Sequence, residues 1–135
     1  MPELKLQIPV IPPTGDHYNR ARIVTPRRGA SFIQWYHTAR AKEWWQTVEA
    51  YVAGRRVPGH SLKLTYVIYL PDRRSMGDTA NYEKCIGDAL QKCGAIENDR
   101  YIDEQHQYRR IDPTRAPLTV IKISSLQEQL FKEPE

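Results

Sequence analysis

The chain has 135 residues, a mass of 15.7 kDa, a formal net charge of +4 and a pI near 9.1; this is one domain with room for a real hydrophobic core, and its basic balance permits nucleic-acid binding without requiring it. No apolar run approaches the roughly 20 residues needed to cross a bilayer, and the start MPELKLQIPV lacks the charged-then-apolar pattern of a signal peptide. A cytoplasmic protein is expected.

Along the chain, Leu4 to Ile11 reads as a first strand, followed by Pro12-Pro13-Thr14 and a polar loop containing Gly15-Asp16. Short extended pieces are expected near Ile23 and Phe32. From about Ala39 to Ala53, Ala41, Trp44, Val48 and Val52 recur at helical spacing, with Thr38 as N-cap and Gly54 as the residue after the last turn. On such a stripe Trp44 reads as core, whereas Trp45 stays open between packing and base stacking. Leu62, Leu64, Tyr66, Ile68 and Leu70 alternate as a half-buried strand that ends at Pro71. A second helix follows and ends near Gly94. Two further strands are expected at Ile102 to Ile111 and Leu118 to Ile123, after which Ser125-x-x-Glu128 reads as the cap of a short helix able to dock Leu126, Leu130 and Phe131. The order predicts an α+β fold: a single domain with a mixed β-sheet, helices packed on one side of it, and parallel pairing across the crossover that contains the second helix.

Chemistry concentrates between Asp72 and Asp103. On a helix, Asn81, Lys84 and Asp88 fall within an arc of about 60°, and Tyr82, Ile86, Ala89 and Cys93 form an apolar stripe roughly opposite. Asp78 precedes this helix and Asp99 follows it, so a returning strand would bring both carboxylates to one place. Two carboxylates and a lysine suit divalent-metal phosphodiester hydrolysis. The same residues also admit a plainer reading, in which Asp78 or Thr79 caps the helix and Lys84–Asp88 is a surface ion pair at i,i+4. Cys85 and Cys93 read as reduced packing residues, and the four histidines show no paired ligand spacing. Four Arg-Arg pairs, Arg27-Arg28, Arg55-Arg56, Arg73-Arg74 and Arg109-Arg110, fall near element ends where guanidinium groups reach phosphates. Arg73 and Arg74 lead into the acidic segment and are the best placed to hold a nucleic-acid strand. Arg20 and Arg22 are weaker candidates for the same role.

The run Asp78-x-x-Asn81-x-x-Lys84-x-x-x-Asp88-Ala89-Leu90, followed by Gly94-Ala95-Ile96-Glu97-Asn98-Asp99, resembles the signature of RusA-type Holliday junction resolvases, D-x-D-N-x-x-K-x-x-x-D-A-L…G-[VI]-x-x-D-D. The resemblance covers most of the chain, since the Pro-Pro after the first strand and the two late strands also match. It implies that Asp78, Lys84 and Asp99 are catalytic, that Asp78 and Asp99 bind metal with Asp88 as a further ligand, and that Asn81 and Asn98 support them. It further implies Mg²⁺ as cofactor with Mn²⁺ able to substitute, a four-way or branched DNA substrate, a homodimer, and a bacterial or prophage source. Two positions depart from the pattern: Ala80 stands where the family has its second acid, and Asn98 where it often has the first of two adjacent acids. Asp88, Glu83, Glu97 and Asp103 are the candidates to replace the missing carboxylate. Without a replacement, the expectation becomes a junction-binding protein that does not cut.

Overall fold

The computed structural model describes residues 3–13, 19–73 and 82–126. Its elements are β1 (Glu3–Ile8), β2 (Asn19–Val24), β3 (Phe32–His37), α1 (Ala39–Val52), β4 (Leu62–Leu70), α2 (Glu83–Lys92), β5 (Ile102–Ile111) and β6 (Leu118–Ser125), with a 3-10 turn at Asp99–Tyr101. Four strands form the main sheet in the order β1-β6-β4-β5, and β2 and β3 pair only with each other in a separate ribbon. The expected α+β architecture with a mixed sheet is present: β4 runs parallel to β5 and antiparallel to β6, and β1 is antiparallel to β6.

Strict alternation in β4 fixes which face is buried. Leu62, Leu64, Tyr66, Ile68 and Leu70 all point inward, and their partners in register, Ile123, Ile121 and Thr119 of β6, join them with Leu4, Leu6 and Ile8 of β1. The apolar stripes of both helices close this face, Ala41, Trp44, Val48 and Val52 from α1 and Cys85, Ile86, Ala89 and Leu90 from α2. Buried polar groups inside this layer find partners. The Trp44 indole Nε1 donates to the Cys85 carbonyl at 2.9 Å, tying α1 to α2, and the Thr119 hydroxyl donates to the Val10 carbonyl at 2.7 Å. Trp44 is thus core as expected. Burial pushes the Cys85 thiol up to about 12, leaving it a neutral packing group, and Cys93 is a second free, half-buried cysteine.

Several boundaries differ from the sequence expectation for identifiable reasons. β1 stops at Ile8, not Ile11, because Pro9 has no N–H for the ladder. The α1 N-cap is Thr38, as expected, but its C-terminus places Ala53 as well as Gly54 in the left-handed region, at φ 51° and 78°. There Arg55 donates to the Val52 and Tyr51 carbonyls, so its guanidinium caps a helix end. The α2 N-cap is Tyr82, without a side-chain hydrogen bond; the capping candidates Asp78 and Thr79 lie outside the described residues. Asp99 belongs to a 3-10 turn, not to the following strand, and Asp103 falls at a register shift between β4 and β5. Ser125 closes β6; the expected terminal helix beyond it lies outside the described residues. No helix among the described residues is long and apolar enough to cross a membrane.

Candidate active site

The β4–α2–β5 crossover places the chemistry at the edge of the sheet. β5 is an edge strand, and α2 with the turn that precedes β5 forms a cleft of about 290 Å³ lined by Glu83, Lys84, Gly87, Asp99 and Ile102. Glu83 and Lys84 belong to the first turn of α2, where the acid also complements the helix dipole.

Asp99 is held from three sides. Asn98 caps the turn, its Oδ1 accepting from the Arg100 N–H at 3.0 Å, and the Asp99 N–H itself donates to Gln91 Oε1 of α2 at 3.0 Å. One helical turn before Gln91, Gly87 lets the carboxylate approach the helix: a Cβ added there would lie 3.3 Å from Asp99 Cβ and 3.7 Å from Oδ2. Glycine inside a helix costs about 1 kcal/mol against alanine, and close approach of another group is a reason to keep it. That interior glycine was the readable signal for the contact. Gln91 offered no such signal, because an exposed glutamine on a helix is unremarkable until the turn it holds is known.

Lys84 and Asp88 form an i,i+4 pair at 3.9 Å, with Lys84 64 % exposed and Asp88 only 17 % exposed. Asp88 is absent from the cleft lining, whereas Glu83 shares that lining with Asp99. The other acids named from sequence are engaged elsewhere: Glu97 Oε2 meets His60 Nε2 at 3.1 Å, and Asp103 Oδ2 accepts from the Ser61 hydroxyl at 2.7 Å. Among the described residues, no three His, Cys, Asp or Glu side chains cluster as a metal cage. Arg74, Asp78, Ala80 and Asn81 lie outside the described residues, as does the side chain of Arg20.

The electrostatic surroundings are mixed. Tyr66, whose hydroxyl donates to Gln107 Oε1 at 2.7 Å, is held far above the ordinary phenol range by burial first and by the Glu83 charge second. Tyr82 is raised by burial, against the attraction of Arg109. Arg109 therefore acts on the helix side of the sheet, in register with Ile68, whereas Arg110 turns to the other face and lies 5.2 Å over the Tyr108 ring. Adjacent arginines on a strand are two separate features. Arg73 is exposed just past the end of β4, and Arg22 donates to Gln34 Oε1 at 2.9 Å in the ribbon. Trp45 is occupied by packing, with Lys92 Nζ 4.3 Å above its ring and His37 edge-on at 4.7 Å.

No individual curated protein matches the chain. A family model does, Endodeoxyribonuclease RusA, over residues 11–124, a span that runs from just after β1 into the last residues of β6 and includes the whole cleft. The chain therefore belongs to the RusA family of endodeoxyribonucleases, divalent-metal-dependent enzymes of Holliday junction resolution.

Proposed function

We propose that this chain resolves four-way DNA junctions by metal-dependent phosphodiester hydrolysis, with Glu83 in place of the carboxylate missing at Ala80. The observation that carries the reading is the convergence of Glu83, Lys84 and Asp99 on one cleft at the edge of the sheet. Of the four acids able to compensate for Ala80, only Glu83 shares that cleft with Asp99. The described donors are hard carboxylate oxygens with no thiolate or imidazole among them, which fits Mg²⁺, with Mn²⁺ as substitute. Asp78, Glu83 and Asp99 are the residues assigned to hold it. When bound, the metal supplies an activated water and neutralises charge at the leaving oxygen.

The protein's own groups do the rest. Asp99 is kept at the cleft by Gly87 and by the Gln91 hydrogen bond, so its carboxylate needs little reorganisation. Lys84 supplies a positive charge to the phosphoryl oxygens as negative charge builds on them, and Asp88, across the ion pair, orients that ammonium in place of serving as a ligand. Asn98 supports the turn, and Asn81 is assigned a supporting role at the same site. Arg73, Arg74 and Arg109 hold the backbone of the strand entering the cleft, and Arg20 and Arg22 contact it from the ribbon. A homodimer suits the substrate, because a two-fold pair of clefts cuts two opposed strands of a junction.

The test is cleavage of an end-labelled synthetic four-way junction beside a linear duplex of the same length, with Mg²⁺ or Mn²⁺. The expected result is paired nicks in opposed strands near the branch point and little cutting of the duplex. Tight, salt-sensitive junction binding with no nicks under either metal would favour the non-cutting, junction-binding alternative.

A further inference from the structure

The β2–β3 ribbon is the least explained part of the fold. It pairs with no strand of the main sheet, yet Ile23 is 76 % exposed, Ile33 65 % and Trp35 72 %. Register puts these three on one face, since Ile23 is opposite Ile33 and Ala21 is opposite Trp35. The other face carries Arg22, Gln34 and Tyr36, with the Arg22 guanidinium 5.3 Å over the Tyr36 ring. At the tip, the Thr25 and Ser31 hydroxyls meet at 3.0 Å across a loop that presents exposed Arg27 and Arg28. A two-stranded ribbon of this kind is marginal by itself, and leaving two isoleucines and a tryptophan in water adds to the cost.

Charge decides what covers it. Between Asn19 and Lys42 the sequence holds Arg20, Arg22, Arg27, Arg28, Arg40 and Lys42 and no aspartate or glutamate. Arg22 lies on the face opposite the apolar patch and Arg27 and Arg28 lie at the tip beside it, and a second copy of the ribbon brings no acid to pair with any of them, whereas a polyanion with flat apolar surfaces between its charges matches both the patch and the basic tip. We infer that the ribbon is a DNA wedge: Trp35, flanked by Ile23 and Ile33, stacks on bases unstacked at the branch point while Arg27 and Arg28 at the tip hold the adjoining phosphates. Apolar side chains inserted at a base step favour DNA that is already open or kinked. A branch point offers such steps and a continuous duplex does not, so the ribbon selects structure without reading sequence.

The inference rests on the proposed junction specificity, and the test separates the two. Affinity for a fluorescent four-way junction and for a linear duplex is measured by anisotropy in metal-free buffer, using the chain, Trp35→Ala and Trp35→Phe. Because Trp35 is largely exposed, neither substitution removes core packing. Trp35→Ala is expected to weaken junction binding on the order of 10-fold with duplex binding unchanged, and Trp35→Phe to retain most of the affinity. Unchanged junction binding by Trp35→Ala, or an equal loss on both DNAs, overturns the wedge while leaving the junction reading intact. Dissociation of an oligomer by Trp35→Ala in sedimentation, with junction affinity per protomer preserved, also overturns it and makes a second copy the occupant. If the chain itself shows no preference for the junction, the proposed function fails and the wedge fails with it.

Discussion

Lys84→Ala is expected to lower junction cutting on the order of 10²–10³-fold at saturating DNA, the scale for losing one preorganised charge aimed at a developing oxyanion. Lys84 stands in the first turn of α2, lining the cleft and 64 % exposed, with its ammonium 3.9 Å from Asp88. An exposed i,i+4 pair contributes only a few tenths of a kcal/mol to a helix, so its loss leaves stability nearly unchanged. Junction affinity is expected to change by less than about 5-fold, because one phosphate contact among many is removed. Single-turnover cleavage, junction anisotropy and thermal unfolding on the same preparation distinguish a chemical role from a structural one. Equal losses in binding and cutting would make Lys84 a DNA-holding residue and not part of the chemistry.

The second large effect is expected at Asp99. Asp99→Asn keeps the side chain's shape and the backbone hydrogen bond to Gln91, but it removes the negative charge that the proposed site would offer a metal. Loss of a group that merely orients a metal ligand costs about 10–100-fold in affinity or activity, and loss of the ligand itself costs more. Cutting should therefore fall by more than about 100-fold and recover only partly at high Mn²⁺. Calorimetric titration with Mn²⁺ in the absence of DNA supplies a readout independent of catalysis: affinity should fall in Asp99→Asn and stay near the parent value in Lys84→Ala. Unchanged Mn²⁺ affinity in Asp99→Asn would remove this carboxylate from the ligand set.

The sequence made the scaffold legible where one periodicity dominated. β4 alternates without a break over nine residues, and the stripe Ala41, Trp44, Val48, Val52 locates α1 to within a residue of its observed end, because burial of one face leaves no competing register. The parallel β4–α2–β5 crossover followed from the same logic. Local competition hid the finer geometry. Among the described residues α2 starts at Glu83 behind a Tyr82 that makes no side-chain cap, and no capping signal marks that position. Asn98-Asp99 reads equally as a strand start or a turn, and the carboxamide bond to the Arg100 N–H decides for the turn. At the site, Lys84 and Asp99 were found from their motif, and the structure brings them to one cleft. The Lys84–Asp88 pair was readable at i,i+4, but the engagement of Glu97 and Asp103 was not, because their partners, His60 and Ser61, lie tens of residues away. The ribbon's isolation from the main sheet was equally invisible, since strand pairing is long-range and its short segments look like any others.

The most direct measurement is cleavage of a labelled four-way junction by four versions of the chain, as given, Ala80→Asp, Glu83→Gln and Ala80→Asp with Glu83→Gln, in Mg²⁺ and in Mn²⁺. If Glu83 supplies the missing carboxylate, the chain as given cuts, Glu83→Gln loses most of that activity, and Ala80→Asp restores it to the Glu83→Gln protein. Activity that appears only with Ala80→Asp and is indifferent to Glu83→Gln would contradict the account and leave the chain with Ala80 a junction binder that does not cut.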